Sequence, residues 1–357
     1  MYATVDLVLV LKGENSLLPG EVEYENTDGI AAQKSLTIRG DGSLTILAEE
    51  DGIQVEQGGL TVESGSIVLS LPDFGEEISD DGCDIKRGDV TISGGSLTIN
   101  AGDHGFDVEG SVTVTGGTVN VTAGDNGFNL DENFTISGGR VVIDAEDIGL
   151  DVSGSVTVSG GIMDIVAENY EGIWTYEGVA ISGGSVVIKA DEFGISGGEG
   201  VFVSDGEVVV NSKMRPAVSG ERITITGGNL ELTAGVGATV FAREGITVEG
   251  NAALPEGVTV EEDKDGNSLI VMGSGKTLFI TKPFSAELNA DGSIRLTNSP
   301  WGMKVMFAAY DGDGRMTGVQ VVEAAGDTVK PTVTGETVMA FFLSGRSAPA
   351  HAVLPVK

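Results

Sequence analysis

Cysteine, histidine and positive charge are all scarce in this chain of 357 residues. The single cysteine, Cys83, allows no disulfide framework, and with only two histidines no Ser/His/Asp or Cys/His catalytic arrangement can be assembled. Lysine and arginine together number 20 against 54 aspartates and glutamates, so the formal net charge is −34. A nucleic-acid partner is therefore not expected, because a phosphate backbone attracts the opposite charge. No apolar stretch is long enough to span a bilayer, and we expect no membrane insertion.

Aromatic residues are also few, at 5%, but hydrophobic residues in general make up 40% of the chain, which is sufficient for a packed core. The charge is unevenly distributed: residues 276–357 carry 7 acidic and 8 basic side chains, so the excess negative charge lies in residues 1–275. This change predicts two domains, 1–275 and 276–357. The N-terminal stretch MYATVDLVLVLKGENSLLPG lacks the basic start and the cleavage site of a signal peptide, and we interpret residues 4–11 as a strand.

Residues 103–169 contain one pattern three times: DHGFDVEGSVTVTGGTVNVTAG, DNGFNLDENFTISGGRVVIDAE and DIGLDVSGSVTVSGGIMDIVAEN. Self-similarity at a short period is typical of a solenoid. Each copy contains a glycine shortly after an acid, which we call the anchor position, and most anchors are 22 or 23 residues apart. The predicted anchors are Gly29, Gly52, Gly82, Gly105, Gly127, Gly149, Gly172, Gly194, Ala217 and Ala238.

Each repeat is too short for a helix plus strands, and its apolar residues alternate with polar ones, as half-buried strands require. Val119 and Val121 in one repeat correspond to Val141 and Ile143 in the next. Stacking at the strand spacing of about 4.8 Å would bury such columns. The sequence therefore predicts an all-β protein, in which a parallel β-helix of about ten coils of 22–23 residues is followed by a small C-terminal β-sandwich.

Acidic residues recur two positions before and two positions after the anchors. Because positions −2, 0 and +2 of a strand share one face, we expect two outward columns, with the anchor glycine leaving the space between their carboxylates open. Oxygen atoms repeated about every 4.8 Å suit Ca²⁺, which would also relieve the repulsion between carboxylates. The alternatives are a solvated acidic face and a ladder that only closes turns. The predicted Ca²⁺ ligands are Asp80, Asp84, Asp103, Asp107, Asp125, Asn129, Asp147 and Asp151.

Aromatic residues replace the acids of both columns in the coil of Gly172. Tyr170 takes the −2 position and Trp174 the +2 position, with Tyr176 nearby. An exposed ring suits a sugar, which stacks its apolar C–H face on the ring while a cation beside it holds carboxylates or hydroxyls. We predict that these three residues bind substrate. The alternative is that the aromatic side chains only cover a loop or contact a neighbouring molecule.

Three further features have simple interpretations. Cys83 occupies the inward position used by Phe106 and Phe128 in later repeats, which predicts a buried thiol. The insertion LPDFGEEIS, which follows Ser70, is either a binding loop or a tolerated surface loop. The DGDG segment at 311–314 hints at a calcium loop, but the ligands that should follow are missing, so a hairpin turn is the better interpretation.

The repeated elements D-x-G-[apolar]-D, S-[VL]-T-[VI]-S-G-G and [VL]-x-[VI]-x-A resemble the bacterial carbohydrate-binding domain-containing β-helix family over about residues 1–270. The Asp-Gly-Ile start of that family's anchor motif is largely kept at residues 28–30, 51–53 and 81–83, whereas His104, Asn126 and Ile148 depart from it. The resemblance implies a calcium-bearing, pectate-lyase-like fold that binds cellulose and acidic plant polysaccharide without an established catalytic role. It also implies a secreted or surface-bound protein. The C-terminal segment resembles small sandwich modules of bacterial surface proteins, which implies attachment or spacing.

Three functions are compatible with these observations. The first is a non-catalytic, extracellular protein that binds acidic polysaccharide such as polygalacturonate, or cellulose, with the help of Ca²⁺. The second is a pectate-lyase-type enzyme, for which Lys86, Arg87 and Arg140 are candidate bases although none lies in the acidic columns. The third is a structural adhesin stalk, whose partners would be other cell-surface components. Ice binding is disfavoured, because outward Thr-x-Thr pairs occur in only a few coils.

Overall fold

The computed structural model describes residues 1–18, 28–71, 81–281, 285–297, 304–323, 328–343 and 349–355. The chain divides into two compact units, residues 1–280 and 281–357, whereas the predicted boundary was 275/276. The first unit is a parallel β-solenoid of about ten turns, which confirms the predicted β-helix. No helix in the described part of the chain is long and apolar enough to cross a membrane.

The solenoid has three parallel sheets, and each coil contributes one strand to each of them. The first sheet contains the strand directly after each anchor, and its register pairs equivalent residues of successive coils, for example Asp84 with Asp107. Its short strands are Tyr2–Ala3, Ile30–Ala32, Ile53–Val55, Cys83–Ile85, Phe106–Val108, Phe128–Leu130, Leu150–Val152 and Ile173–Thr175.

The second and third sheets follow in the same order around each coil. The second contains Leu7–Leu11, Leu36–Gly40, Leu60–Val62, Val90–Ile92, Val112–Val114, Phe134–Ile136 and Val156–Val158. The third contains Glu14–Leu17, Ser43–Leu47, Ser66–Ser70, Ser96–Ala101, Thr118–Ala123, Arg140–Ala145, Ile162–Ala167 and Asn229–Ala234. Four longer strands turn corners between sheets without a break: Gly178–Ala190, Ile195–Ser212, Val218–Ile225 and Val240–Val248.

Aliphatic columns from the three sheets fill the interior of the solenoid. Val119, Val141 and Ile143 are all at most 1% exposed. The rings of Phe106 and Phe128 stack with centroids 4.5 Å apart. Cys83 pairs with Phe106 in the first sheet and is fully buried, as predicted. The hydrophobic effect of these continuous columns joins the coils into one core.

The anchor glycines face this core, and the predicted role for them was wrong. A Cβ added at Gly105 would lie 2.2 Å from Val121 Cγ1 and 2.6 Å from the carbonyl oxygen of Gly127. Since real Cβ atoms do not approach other atoms so closely, glycine is required because the coil is narrow here, and not because it opens a space between carboxylates. The same conflict recurs with Ile143 at Gly127 and with Ile165 at Gly149.

The last anchor was also predicted one residue too early. The register pairs Val218 with Val240, so Thr239, which is 1% exposed, occupies the anchor position in place of Ala238. Beyond this coil the chain reverses direction. Ser268–Ile270 pairs antiparallel with Val240–Val248 and with Glu261–Glu262, and Thr277–Ile280 pairs antiparallel with Asn229–Ala234. These antiparallel strands complete the first and third sheets.

The second unit consists of two small antiparallel sheets. One contains Ser285–Leu288, Ile294–Thr297 and Thr328–Val329; the other contains Met316–Glu323, Lys304–Tyr310, Thr337–Leu343 and Pro349–Pro355. Residues of both sheets, such as Ile294 and Phe307, share one hydrophobic cluster. The DGDG segment forms a hairpin turn, as predicted, in which Asp311 Oδ1 accepts hydrogen bonds from the backbone N–H groups of Asp313 and Arg315.

Candidate functional site

The +2 residues form a single column on the outer face of the first sheet. In order they are Gln54, Asp84, Asp107, Asn129, Asp151, Trp174 and Ser196. Neighbouring members are separated by one strand spacing, about 4.8 Å. Asn129 Nδ2 donates a hydrogen bond to Asp107 Oδ1 at 2.8 Å, which leaves two charged members, Asp107 and Asp151, on either side of a neutral one. The column therefore presents oxygen atoms at regular intervals.

Asp84 is the most deeply buried acid of this column, with 3% of its surface exposed. Its Oδ2 lies 2.7 Å from Lys86 Nζ, whereas its Oδ1 is buried without a hydrogen-bond partner among the described residues. Burial opposes the charge of Lys86, but the hydrogen bond and the negative charge of Asp84 outweigh it and raise the pKa of Lys86. Lys86 belongs to neither column, but its side chain reaches Asp84 from beside the outer column, a contact that the sequence analysis did not predict.

The −2 residues form a second column at the corner before the first sheet. The backbone N–H of Asp125 donates to the carbonyl of Asp103, and that of Asp147 donates to the carbonyl of Asp125. Partial burial, together with the charges of Asp147 and Asp103, raises the pKa of Asp125, although His104 acts against this. Asp80, the remaining acid predicted for this column, lies outside the described residues, as does the insertion at 72–79.

The two columns influence each other electrostatically. Burial is the main reason why the pKa of Asp151 is raised, and the negative charge of Asp125 adds to it, whereas His104 lowers it. Asp125 belongs to the corner column and Asp151 to the outer column, so acids from both act on the same region. The structure thus brings seven of the eight predicted ligands onto two adjoining columns.

A third column, at the −1 position, was missed in the sequence. Its residues connect successive coils, because each side chain accepts a hydrogen bond from the backbone N–H of the next residue in the column. The bonds run from the N–H of Asp51 to Asp28 (3.2 Å), of Asp81 to Asp51 (3.1 Å), of His104 to Asp81 (3.1 Å), of Asn126 to His104 (3.3 Å) and of Ile148 to Asn126 (3.0 Å). The available signal was an acceptor side chain directly before the anchor in five successive coils.

This inner ladder contains the most strongly perturbed carboxyl groups of the site. Burial, followed by the charges of neighbouring carboxylates including Asp84, raises the pKa of Asp51 to about 8. Burial likewise raises the pKa of Asp81 to about 7, although the nearby His104 lowers it. Asp51 also accepts a hydrogen bond from Gln54 Nε2 at 3.2 Å. Near neutral pH each of these two carboxyl groups is therefore partly protonated, and a cation in their neighbourhood would favour the charged form.

The inner ladder and the corner column meet at Asp81, Asp103 and His104. Each offers one potential ligand atom, and these atoms lie within 4.8 Å of one another. His104 Nδ1 lies 3.9 Å from Asp103 Oδ1 and accepts a hydrogen bond from the backbone N–H of Asn126. The surroundings are dominated by carboxylate oxygen, which is the donor preferred by hard divalent cations.

The three predicted aromatic residues lie in the coil that follows Asp151. Trp174 is directly beside Asp151 in the outer column and is half-buried. Tyr170 and Tyr176 are 48% and 73% exposed. The carbonyl of Tyr170 accepts the N–H of Glu192, which places Tyr170 in the corner column. Both acidic columns therefore continue into aromatic residues at the same coil.

Comparison with known proteins bears on the same part of the chain. Residues 1–169 match the model of a family described as "Carbohydrate-binding domain-containing protein". No curated protein and no solved structure matches the chain. The matched residues include the acids from Asp84 to Asp151 and end just before Tyr170. Together with the β-solenoid, the match supports a carbohydrate-binding β-helix protein.

Proposed function

We propose that the solenoid is an extracellular or cell-surface protein that binds acidic polysaccharide through Ca²⁺ held by its acidic columns. The observation that carries this proposal is the continuation of two adjoining columns of oxygen ligands into aromatic residues at one coil, the half-buried Trp174 and the exposed Tyr170. Ca²⁺ takes six to eight oxygen ligands in flexible geometry, so a row of carboxylates about 4.8 Å apart suits it. Weak Ca²⁺ sites are typical of extracellular modules, where the ion is abundant.

In this proposal the acidic residues bind the cation and the aromatic residues contact the sugar rings. Asp103, Asp107, Asp125, Asp147 and Asp151 would hold the cation, with Asp84 and Asn129 completing the outer column. A bound cation would bring the net-negative surface and a negative glycan together, which the acids alone would prevent by repulsion. Trp174, with Tyr170 and Tyr176, would stack on sugar rings at the end of the columns. Polygalacturonate, with one carboxylate per sugar, is the ligand we expect.

Binding should depend on calcium and on the outer column. We expect the protein to be retarded in native gels that contain polygalacturonate and Ca²⁺, and to migrate freely when a chelator replaces the ion. Asp151→Asn should weaken binding by about tenfold, since it removes one charged ligand worth about 1.4 kcal/mol. Asp144→Asn is the matched control, because it removes one charge from the exposed outer face of the third sheet. Equal retardation of Asp151→Asn and the unaltered protein would contradict the proposed ligand set.

The aromatic contribution can be separated from the ionic one. Trp174→Ala should weaken binding to polygalacturonate by roughly fivefold, which corresponds to about 1 kcal/mol for loss of a stacked ring. Trp174→Phe keeps a ring in the same place and should retain most of the affinity. Both variants should bind Ca²⁺ as the unaltered protein does, as measured by calorimetric titration. If Trp174→Ala binds the glycan unchanged, the ring has no part in recognition.

A pectate-lyase-type reaction is the second candidate, favoured by the position of Lys86 beside Asp84. An amine can act as the base of a lyase only when it is deprotonated, and the raised pKa of Lys86 keeps this amine protonated near neutral pH. The ion pair therefore supports binding over elimination. Incubation with polygalacturonate and Ca²⁺ at alkaline pH, followed by ultraviolet absorbance for unsaturated products, decides between them. Lack of affinity for every glycan tested would instead favour a structural stalk.

A further inference from the structure

The outer face of the second sheet carries an unbroken column of threonines. The register aligns Thr37, Thr61, Thr91, Thr113, Thr135 and Thr157 in six successive coils. Outward Thr-x-Thr pairs within a coil are few, but one threonine per coil forms a continuous row. The hydroxyl groups of these residues form no hydrogen bond with the part of the chain that the structure describes. They are free to bond to something else, at intervals of about 4.8 Å.

The row continues into an exposed aromatic residue. Thr157 pairs with Ala180, and Ala180 pairs with Phe202, whose surface is 43% exposed. Phe202 lines a shallow groove of about 380 Å³ together with Ser155, Thr157, Glu177, Glu199 and Arg222, among other residues. Arg222 forms an ion pair with Glu244. An apolar ring is thus held at the end of a hydroxyl row, inside a concave surface with hydrogen-bonding side chains.

The outward residues of the second sheet are uncharged over five coils, although the rest of the solenoid is strongly acidic. Charged side chains lie next to them: Glu132, which accepts a hydrogen bond from Ser111 Oγ, and Glu177, Glu199 and Arg222, which line the groove. In five successive coils the column consists of Thr113, Thr135, Thr157, Ala180 and Phe202. The residues two positions before and two positions after each of these members carry no charge. They are Ser111, Thr115, Asn133, Ser137, Ser155, Ser159, Gly178, Ser182, Gly200 and Ser204. Asn133 Oδ1 accepts hydrogen bonds from the backbone N–H (3.0 Å) and Oγ (2.8 Å) of Ser155, which orders one edge of the strip. In a chain of net charge −34, such a strip does not attract a polyanion but accepts a neutral ligand without repulsion.

We propose that the threonine row and Phe202 form a second, calcium-independent binding face for a neutral, extended polysaccharide. Sugar hydroxyls both donate and accept hydrogen bonds, as threonine hydroxyls do, and a sugar ring stacks its C–H face on an aromatic ring. A ligand that repeats along its length can contact several coils at once, so individually weak contacts add up. This face lies on a different sheet from the acidic columns, and the two are expected to act independently.

The test uses native gels containing hydroxyethylcellulose, with a chelator present to prevent calcium-dependent binding. We expect retardation of the unaltered chain and at least about a tenfold loss of affinity in Phe202→Ala. The triple variant Thr113→Val, Thr135→Val and Thr157→Val keeps side-chain shape but removes three hydroxyls, and it should be weakened similarly. Phe279→Ala is the matched control, since Phe279 is 41% exposed on the outer face of the third sheet.

The outcomes separate this inference from the calcium proposal. Phe202→Ala should still bind polygalacturonate in Ca²⁺, and Asp151→Asn should still bind hydroxyethylcellulose in chelator. Unretarded migration of the unaltered chain in hydroxyethylcellulose, or equal binding by Phe202→Ala and Phe279→Ala, would overturn the second face. Inhibition of ice recrystallisation by the unaltered chain without glucan binding would overturn it too, and would assign the row to ordered water instead.

Discussion

Replacing Gly149 with alanine is expected to lower the free energy of unfolding by about 3 kcal/mol or more, as overpacking of a well-packed core does at its upper range. The added Cβ would lie 2.3 Å from Ile165 Cγ2 and 2.5 Å from the carbonyl oxygen of Gly172. Neither atom can move away easily, because one belongs to a buried branched side chain and the other to the backbone of the next coil. Thermal unfolding followed by circular dichroism should show the loss as a lower Tm.

Two further variants make this expectation specific. Gly102→Ala is the control, because a Cβ there has no neighbour within 4 Å, and its Tm should remain unchanged. A natural exception is Ala217, whose coil carries Leu232 where most other coils carry a β-branched residue such as Val210. Leucine leaves more room at this point, since a Cβ added at Gly52 would lie 3.2 Å from the nearest atom of Leu69. Adding Ile165→Leu to Gly149→Ala should therefore recover part of the lost stability. If Gly149→Ala has the same Tm as Gly102→Ala, the close contact at the anchor position does not require glycine.

Without a bound cation, the protein should become less stable as the pH rises from about 5 to 8. The pKa values of Asp51 and Asp81 are raised from an ordinary 3.8 to about 8 and about 7, chiefly by burial. Between the ordinary and raised values the folded chain holds more protons than the unfolded chain, so the free energy of unfolding falls with increasing pH. The stabilisation is complete below about pH 4 and is lost as the pH passes 7 to 8. Unfolding in denaturant with chelator, measured at several pH values, should give a loss of a few kcal/mol.

The variant Asp51→Asn tests whether the carboxyl group of Asp51 causes the loss of stability at higher pH. An amide oxygen can still accept the N–H of Asp81, as Asn126 accepts that of Ile148 in a later coil. We therefore expect the variant to match the unaltered protein at pH 5 and to be more stable at pH 8, with a flatter pH profile. Asp144→Asn, which alters the outer face of the third sheet, should leave the slope unchanged. A slope that persists in Asp51→Asn would mean that other groups take up the protons.

The sequence predicted the solenoid well because its period fixes the register. Once Phe106 is aligned with Phe128, every other residue of the two coils is aligned as well, including Asp107 with Asn129. The outer column and the aromatic coil at Trp174 follow from that alignment alone. Periodicity is a strong signal when each coil contacts its neighbours in the same way.

What could not be predicted depends on the corner geometry between sheets. Alternation along a strand places positions −2, 0 and +2 on one face, but the chain turns at the anchor and Gly105 points inward instead. For the same reason Asp51 and Asp81 become buried hydrogen-bond acceptors rather than surface acids. The approach of Lys86 to Asp84 depends on side-chain direction, on which the repeat carries no information.

The reversed strands after the last parallel coil have a consequence for self-association. A stack of parallel strands ends in an open edge whose backbone groups can recruit another chain, and a solenoid with such an end can polymerise into filaments. Ser268–Ile270 and Thr277–Ile280 occupy the edges of the first and third sheets in the opposite direction. Ala252, which is 7% exposed, joins the core beyond the last coil. A further parallel coil therefore has no matching parallel edge on the first and third sheets at this end, and these two edges are closed to strand addition.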